Sequence, residues 1–124
     1  MVDFTNKKFF KLKPISVDDG VESTKGLLID GEEVIDCFSS IRDKVIFTNK
    51  RIISINTKGL TGMRKVYTSI PYKMIEVYAV TTAGLLDIDA ELDISVPSIG
   101  NIHFEFHGSS NVLRICGIIS NIIL

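Results

Sequence analysis

The segment formed by residues 41–73 constrains the fold more than any other part of the chain. It contains three short runs rich in β-branched and aromatic residues, a composition that favours extended structure. Asn49 and Lys50 separate the first two runs and are few enough for a two-residue hairpin turn. A loop with Gly59 and Gly62 separates the second run from the third. The segment therefore predicts a small antiparallel sheet.

Other parts of the chain extend this sheet. Residues 86–96 alternate apolar and mostly acidic side chains, which is the pattern of a strand with one buried face. Pro71 cannot donate to a strand ladder, so it confines the run before it to a sheet edge or a strand end. The predicted strands are residues 33–40, 42–48, 51–57, 66–70, 74–82, 86–96 and 102–107.

Two helices are predicted outside the strands. Ser16 or Asp18-Asp19 can cap a short helix that continues to Leu28. A second helix, capped within residues 109–111, runs to about Ile123. Its apolar arc is wider than the stripe that covering one sheet requires, so the helix is either deeply buried or also contacts another chain. Residues 1–14 are interpreted as a loosely ordered arm whose Phe residues dock locally. The alternative is that the basic residues between Lys7 and Lys13, interleaved with Phe, contact an anionic membrane or nucleic acid. We therefore expect an N-terminal arm with a short helix over residues 1–28 and one domain over residues 29–124.

Charge is unevenly distributed along the chain. The net charge is −1, yet residues 42–73 carry eight basic residues against one acidic residue. Residues 76–105 carry six acidic residues and neither Lys nor Arg. The candidate basic surface for an anionic ligand comprises Lys50, Arg51, Lys58, Arg64, Lys65 and Lys73. The candidate oligomer interface comprises Asp87, Asp89, Glu91 and Asp93 with the helix residues Val112, Ile115, Ile119 and Ile122.

The acidic strand supports two interpretations. Like charges on an edge strand oppose pairing with an identical strand but accept a basic one. A head-to-tail contact between an acidic edge and a basic edge could then close into a ring. The alternative is that both charged faces meet solvent, or each other, within one chain.

The residues with catalytic or metal-binding potential favour a structural interpretation. Cys37 and Cys116 are expected to be buried free thiols. His103, Glu105 and His107 share one face of a strand, but a fourth ligand is not evident, so a solvated face is favoured over a metal site. The acidic strand also lacks the glycine and glutamate of a calcium loop. With none of the common catalytic motifs in the sequence, we expect neither enzymatic activity nor a cofactor.

The order of elements, strands followed by one C-terminal helix, is typical of a pleckstrin-homology fold. The chain resembles the bacterial pleckstrin-homology domain family over roughly residues 27–124. The motifs that carry the resemblance are Arg42-Asp43, Phe47 to Arg51, Gly59 to Gly62, Ser69 to Tyr72, Ala83-Gly84 and Asp87 to Leu92. The resemblance implies a mainly β fold, a seven-stranded bent β-sandwich or barrel capped by one α-helix, and a tendency to form homo-oligomeric rings.

Two functions follow as hypotheses. The first is a non-enzymatic, self-assembling interaction module, with a protein partner as a further option. The second is a peripheral domain that binds anionic lipid or a phosphorylated ligand. The turn at residues 39–44 has two basic residues with an acid between them, which counts against the inositol-phosphate site of eukaryotic relatives. Nucleic-acid binding is not expected because the net charge is negative and the basic residues lack an aromatic stacking platform.

The expected location is cytoplasmic. The N-terminus lacks the apolar core of a signal peptide. The apolar stretch at residues 112–124 is too short to span a bilayer and contains Arg114 and Asn121.

Overall fold

The computed structural model describes residues 7–62, 64–82, 89–107 and 112–124 of the protein. Within these residues the chain forms eight β-strands, two α-helices and one 3₁₀ turn. The strands are β1 Lys8–Ile15, β2 Val34–Ser39, β3 Asp43–Thr48, β4 Arg51–Lys58, β5 Arg64–Pro71, β6 Val77–Thr82, β7 Ala90–Val96 and β8 Gly100–Phe106. The helices are α1 Val17–Ser23 and α2 Val112–Ile123, and the 3₁₀ turn is Tyr72–Met74.

The eight strands form one sheet in the order β5-β4-β3-β2-β1-β8-β7-β6. Every neighbouring pair is antiparallel except β1 and β8, which run parallel. Ile70 near one end of this order and Val80 at the other pack into the same hydrophobic cluster, so the sheet is strongly curled. The predicted class, mainly β with a C-terminal helix, is confirmed.

The predicted count of seven strands is wrong because β1 adds an eighth. This strand comes from the segment that was interpreted as a loosely ordered arm, and it pairs with both β2 and β8. Phe9 and Leu12 both enter the core although they are three residues apart. A bulge between them, with Lys11 at φ 54°, makes this spacing fit. In a regular strand the buried residues recur at every second position. The buried residues of β1 do not follow this spacing, so the sequence pattern did not reveal the strand.

Most other predicted elements are present with small changes in their bounds. The Asn49-Lys50 turn joins β3 and β4, and β5 lies at a sheet edge and ends at Pro71. The Ser16 side chain caps α1, but this helix ends at Ser23 and not at Leu28. The start of the strand predicted over residues 86–96 and the cap predicted within residues 109–111 lie outside the described residues.

The main core fills the concave side of the curled sheet. Five of its buried aromatic side chains come from β1, β2, β3 and β8, and several of their rings lie within contact distance. Helix α2 covers this core, and the hydroxyls of Tyr78 and Ser120, 2.6 Å apart, join the helix to β6. Each large side chain buried here contributes about 1.5–3 kcal/mol.

The wide apolar arc of α2 is largely explained by packing within one chain. Val112, Ile115 and Ile119 are buried in the main core. Of the four helix residues assigned to an oligomer interface, Ile122 is the exposed one, at 41%. Of the two alternatives that the sequence left open, deep burial therefore accounts for the width of the arc, and a contact with another chain is not needed to explain it.

A second, smaller core lies on the opposite face of the sheet. It contains Cys37, Ile46, Ile53 and Ile55, with Leu28 and other partly buried residues packed against it. Helix α1 lies against β2 through Gly20, which is buried. A Cβ atom at Gly20 would overlap the sulfur of Cys37 and press on Val34. The glycine thus permits the close approach of helix and sheet.

We predict that Gly20→Ala destabilises the protein by about 1–3 kcal/mol, because the added methyl overpacks the smaller core. Gly117→Ala is the matched control: Gly117 is exposed within α2, and a Cβ there meets nothing within 4 Å. The control is expected to stabilise by about 0.5–1 kcal/mol, since alanine favours the helix. Urea unfolding of both variants measures the difference, and equal stabilities would contradict the packing argument.

Candidate functional site: a basic cleft between two loops

The candidate basic residues do not form one surface. One end of the sheet, with the β3–β4 turn, carries Lys50, Arg51 and Lys73. The opposite end, with the β4–β5 loop, carries Lys58, Arg64 and Lys65. Strand β4 runs between the two ends, and its eight residues span about 23 Å at 3.3 Å per residue. The predicted surface is therefore divided into two groups.

Arg51 is held in a buried ion pair and supports the fold. Its Nε lies 2.9 Å from Oε2 of Glu32, and its Nη2 lies 3.0 Å from Oε1 of the same carboxylate. The Arg51 guanidinium also donates to the Leu27 carbonyl and the Ser69 hydroxyl. Thr48 completes the network by donating to Oε2 of Glu32 at 2.7 Å. Arg51 is thus the candidate residue least able to serve a ligand.

The Glu32 carboxylate keeps its charge although its side chain is buried. Burial by itself raises the pKa of Glu32, but hydrogen bonds from Arg51, Thr48 and the Ile29 amide, together with the Arg51 charge, bring the pKa below its ordinary value of 4.5. A carboxyl group with a lowered pKa stabilises the folded state fully above its unfolded pKa. That contribution is lost as the pH falls through the lower pKa of the folded state.

We predict that Glu32→Gln destabilises the protein by about 3 kcal/mol at pH 7, because Arg51 then loses its buried counter-charge. The difference from the native chain should begin to shrink below pH 4.5, where Glu32 of the unfolded chain becomes protonated, and should shrink further as the pH falls through the lower pKa of the folded state. Chemical unfolding at several pH values measures this difference. Glu33→Gln, at the exposed neighbouring residue, is the control and should have little effect. A pH-independent loss in Glu32→Gln would contradict the proposed ionic contribution.

A cleft of about 440 Å³ lies at the opposite end of the sheet. The β2–β3 turn, the β4–β5 loop and Ser23 at the end of α1 line it. Three cationic side chains meet there: Arg42, Lys44 and Lys65. Arg42 donates to the Gly59 carbonyl at 2.8 Å, and Lys44 donates to the Ser23 hydroxyl at 2.9 Å. These bonds fix the positions of two of the cations.

Sequence reasoning found only part of this cleft. Lys65 was a candidate, but Arg42 and Lys44 were set aside because the turn at residues 39–44 has two basic residues and one acid. The fold brings Lys65 to that turn from a loop about twenty residues away. The pairing of β3 with β4 and of β4 with β5 brings the two loops together. Knowledge of the register of these hairpins could have revealed the cleft from the sequence.

Apolar side chains project beside these cations. Ile41 on the β2–β3 turn and Leu60 on the β4–β5 loop are fully exposed. A second cleft of about 640 Å³ shares residues 40–43 with the first and is also lined by Lys8, Phe10 and Lys13. Phe10 is half exposed. Cations therefore flank an apolar loop tip on two sides.

The acidic strand does not lie at a sheet edge, so that sequence-based prediction is wrong. β7 pairs with β6 on one side and with β8 on the other. Asp89 lies just before β7, and Glu91 and Asp93 alternate with its buried residues, so they belong to the outer face of the sheet. Asp87 lies outside the described residues. The edges of the sheet are β5 and β6.

Two expectations about side-chain placement are confirmed: His103, Glu105 and His107 share one outer face, and both cysteines are buried. Phe104 and Phe106 are fully buried, while His103 and His107 lie on the outer face. Both cysteines are buried free thiols. Burial, aided by the nearby Asp36 charge, raises the pKa of Cys37 to about 11, which leaves this thiol unreactive at neutral pH.

Neither helix among the described residues has the length and apolar character that crossing a bilayer requires.

A curled, mostly antiparallel sheet covered by a C-terminal helix defines the pleckstrin-homology fold class. The structure is similar to a protein with a pleckstrin-homology domain from Shewanella loihica, at a TM-score of 0.77 and 32% identity over 93% of this chain and 99% of that one. It is also similar to a pleckstrin-homology domain from Shewanella amazonensis, at a TM-score of 0.62 and 32% identity over 89% and 90% of the two chains.

The chain belongs to the bacterial PH domain family, whose model matches residues 3–123. Among curated proteins it is 42% identical to the uncharacterized protein YjqA of Bacillus subtilis over 73 residues, which are 59% of this chain and 58% of that protein. It is 35% identical to the uncharacterized protein YozO of the same organism over 78 residues, 63% of this chain and 68% of that one. The resemblance noted in the sequence is thereby confirmed.

Proposed function

We propose that the protein is a non-enzymatic binding module that attaches to an anionic membrane surface through the cleft between the β2–β3 turn and the β4–β5 loop. One observation carries the proposal: Ile41 and Leu60 are fully exposed at loop tips beside three converging cations. Membrane attachment explains why aliphatic side chains are exposed next to basic residues: the tips enter the acyl boundary while the cations contact lipid headgroups.

The charges at this end of the sheet support an anionic target. Besides the three cations in the cleft, Lys58 and Arg64 flank the β4–β5 loop. Cations near an anionic membrane each contribute about 1 kcal/mol to attachment, and this contribution weakens with salt. The Arg42 guanidinium is well suited to phosphate because its planar donors bind two oxygens at once. The net charge of −1 therefore does not oppose attachment at this end.

We predict that the double variant Arg42→Gln, Lys65→Gln binds vesicles of phosphatidylcholine and phosphatidylserine about 20- to 30-fold more weakly than the native chain. This is roughly fivefold for each charge removed. Vesicle sedimentation at low and high salt measures the change. The control is Lys50→Gln, Lys73→Gln, which removes the same charge at the other end of the sheet and should change binding less than about twofold.

The variant Ile41→Ser separates membrane attachment from binding of a free phosphate group. It should weaken vesicle binding at every salt concentration because its contribution is apolar, while binding of inorganic phosphate should not change. Native protein that fails to sediment with anionic vesicles at low salt would contradict the proposal. An equal loss in the two double variants would also contradict it, because attachment would then depend on total charge and not on this cleft.

Self-association into a homo-oligomeric ring is a second proposal, and the two sheet edges favour it. Over the described residues β5 pairs with β4 alone and β6 pairs with β7 alone, so each has one side available for another strand. Arg64 and Lys65 begin β5, whereas the outer face beside β6 carries Glu91 and Asp93. Pairing of β5 in one subunit with β6 in the next would be a head-to-tail contact, with Glu91 and Asp93 one strand further from the joined edges.

We predict a discrete native mass that is several times 13.8 kDa. Light scattering on a sizing column measures it at low and high salt. Val77→Lys should reduce the mass, because Val77 lies on β6 and is 59% exposed. Leu113→Lys, on the exposed side of α2, is the control and should keep the native mass. A monomer at high protein concentration would contradict this proposal, and dissociation by Leu113→Lys alone would assign the contact to the helix.

A further inference from the structure

Acidic and imidazole side chains from two strands meet on the outer face of β7 and β8. Glu91 lies directly opposite Glu105, and Asp93 lies directly opposite His103. The sequence alone showed the residues of each strand, but it did not show that β7 supplies partners to β8. Glu91 on the neighbouring strand thus adds a carboxylate that the sequence did not place beside His103 and Glu105.

His103 is oriented as a metal-binding imidazole usually is. Its Nδ1 lies 2.7 Å from a carboxylate oxygen of Asp93, so Nδ1 carries the proton and donates it to that oxygen. In the neutral imidazole the lone pair is then on Nε2, and this atom lies 3.7 Å from Oε1 of Glu91. A carboxylate that fixes the tautomer of a ligating histidine in this way is the common arrangement around protein-bound metals.

The third group of this cluster is held by the backbone of β1. One ligand atom each from Glu91, His103 and Glu105 lies within 4.8 Å of the other two. The Lys11 amide donates to Oε1 of Glu105 at 3.3 Å, which the bulge in β1 allows. The Phe10 ring lies 5.8 Å from the His103 ring, between centroids. These contacts hold the Glu105 and His103 side chains, while Glu91 is positioned by its place on β7.

The facing carboxylates carry an electrostatic cost that a cation would remove. Like charges directly opposite each other on neighbouring strands destabilise a sheet. On the β1 side, Lys8 lies opposite His103 and the Lys11 amide contacts Glu105. A divalent ion between Glu91 and Glu105 would neutralise both carboxylates and would also bind the free nitrogen of His103.

We propose that Glu91, His103 and Glu105 form a site for a divalent transition-metal ion, with Zn²⁺ as the best match, and that Asp93 orients His103. One imidazole nitrogen and two carboxylates suit zinc better than calcium or magnesium, which prefer oxygen ligands alone. Zinc bonds of about 2.0–2.2 Å require the three groups to move closer together. Three protein ligands leave a fourth position for water or for a group from another molecule.

Titration calorimetry with ZnCl₂ alone, after treatment with chelator, tests this site. The native chain should bind one ion, and thermal unfolding should occur at a higher temperature when zinc is present. His103→Gln and Glu91→Gln should each abolish the saturable binding. Asp93→Asn should weaken it by about 10- to 100-fold, because it removes the carboxylate that orients His103 without removing a ligand.

His107→Gln is the matched control, since it removes the other imidazole of the same segment, near Asp89 and outside the proposed site. It should leave zinc affinity unchanged. Far-UV circular dichroism establishes that each variant is folded. Failure of the native chain to bind zinc with a defined stoichiometry would overturn the proposal. Equal losses in His103→Gln and His107→Gln would also overturn it, because the binding would then be a general property of an acidic surface.

Discussion

Strand β1 holds the two halves of the sheet together, and the rest of the structure depends on this connection. Its first part pairs in parallel with β8, and its last part pairs antiparallel with β2. The bulge at Lys11 divides the two parts and keeps Phe9 and Leu12 on the concave side. Without this strand, the hairpins β2 to β5 and β6 to β8 would have no ladder between them. The core that α2 covers is built from both halves, so it requires β1.

Local sequence patterns predicted where most strands lie in the chain, but they did not predict the order of the strands in the sheet. Composition identified most strands and alternation identified the one over residues 86–96, and the Asn49-Lys50 turn and Pro71 were placed correctly. The acidic strand was misplaced at an edge because alternation reports one buried face and does not report how many strands lie beside it. β1 was missed because its bulge changes the spacing of its buried residues.

The candidate sites show the same division between local and non-local information. Basic residues could be counted in the sequence, but Lys50 and Lys65 lie at opposite ends of the sheet. Arg51 looked available for an anion, and the structure shows it bound to Glu32. The cleft near Lys65 and the cluster around His103 each combine residues from separate strands or loops. Such sites depend on register, which a single sequence rarely specifies.

If the protein forms a ring, ring formation would strengthen the proposed membrane attachment. In a ring with cyclic symmetry, every subunit presents its β2–β3 turn and β4–β5 loop at equivalent positions around one axis. Several weak contacts with one membrane would then act together, and the second and later contacts would form at a high effective concentration. A cleft with three cations and two aliphatic tips would be a modest membrane anchor by itself, whereas many copies of it could hold an assembly firmly. Attachment would then respond steeply to salt and to the number of subunits, because both act on every copy of the cleft at once.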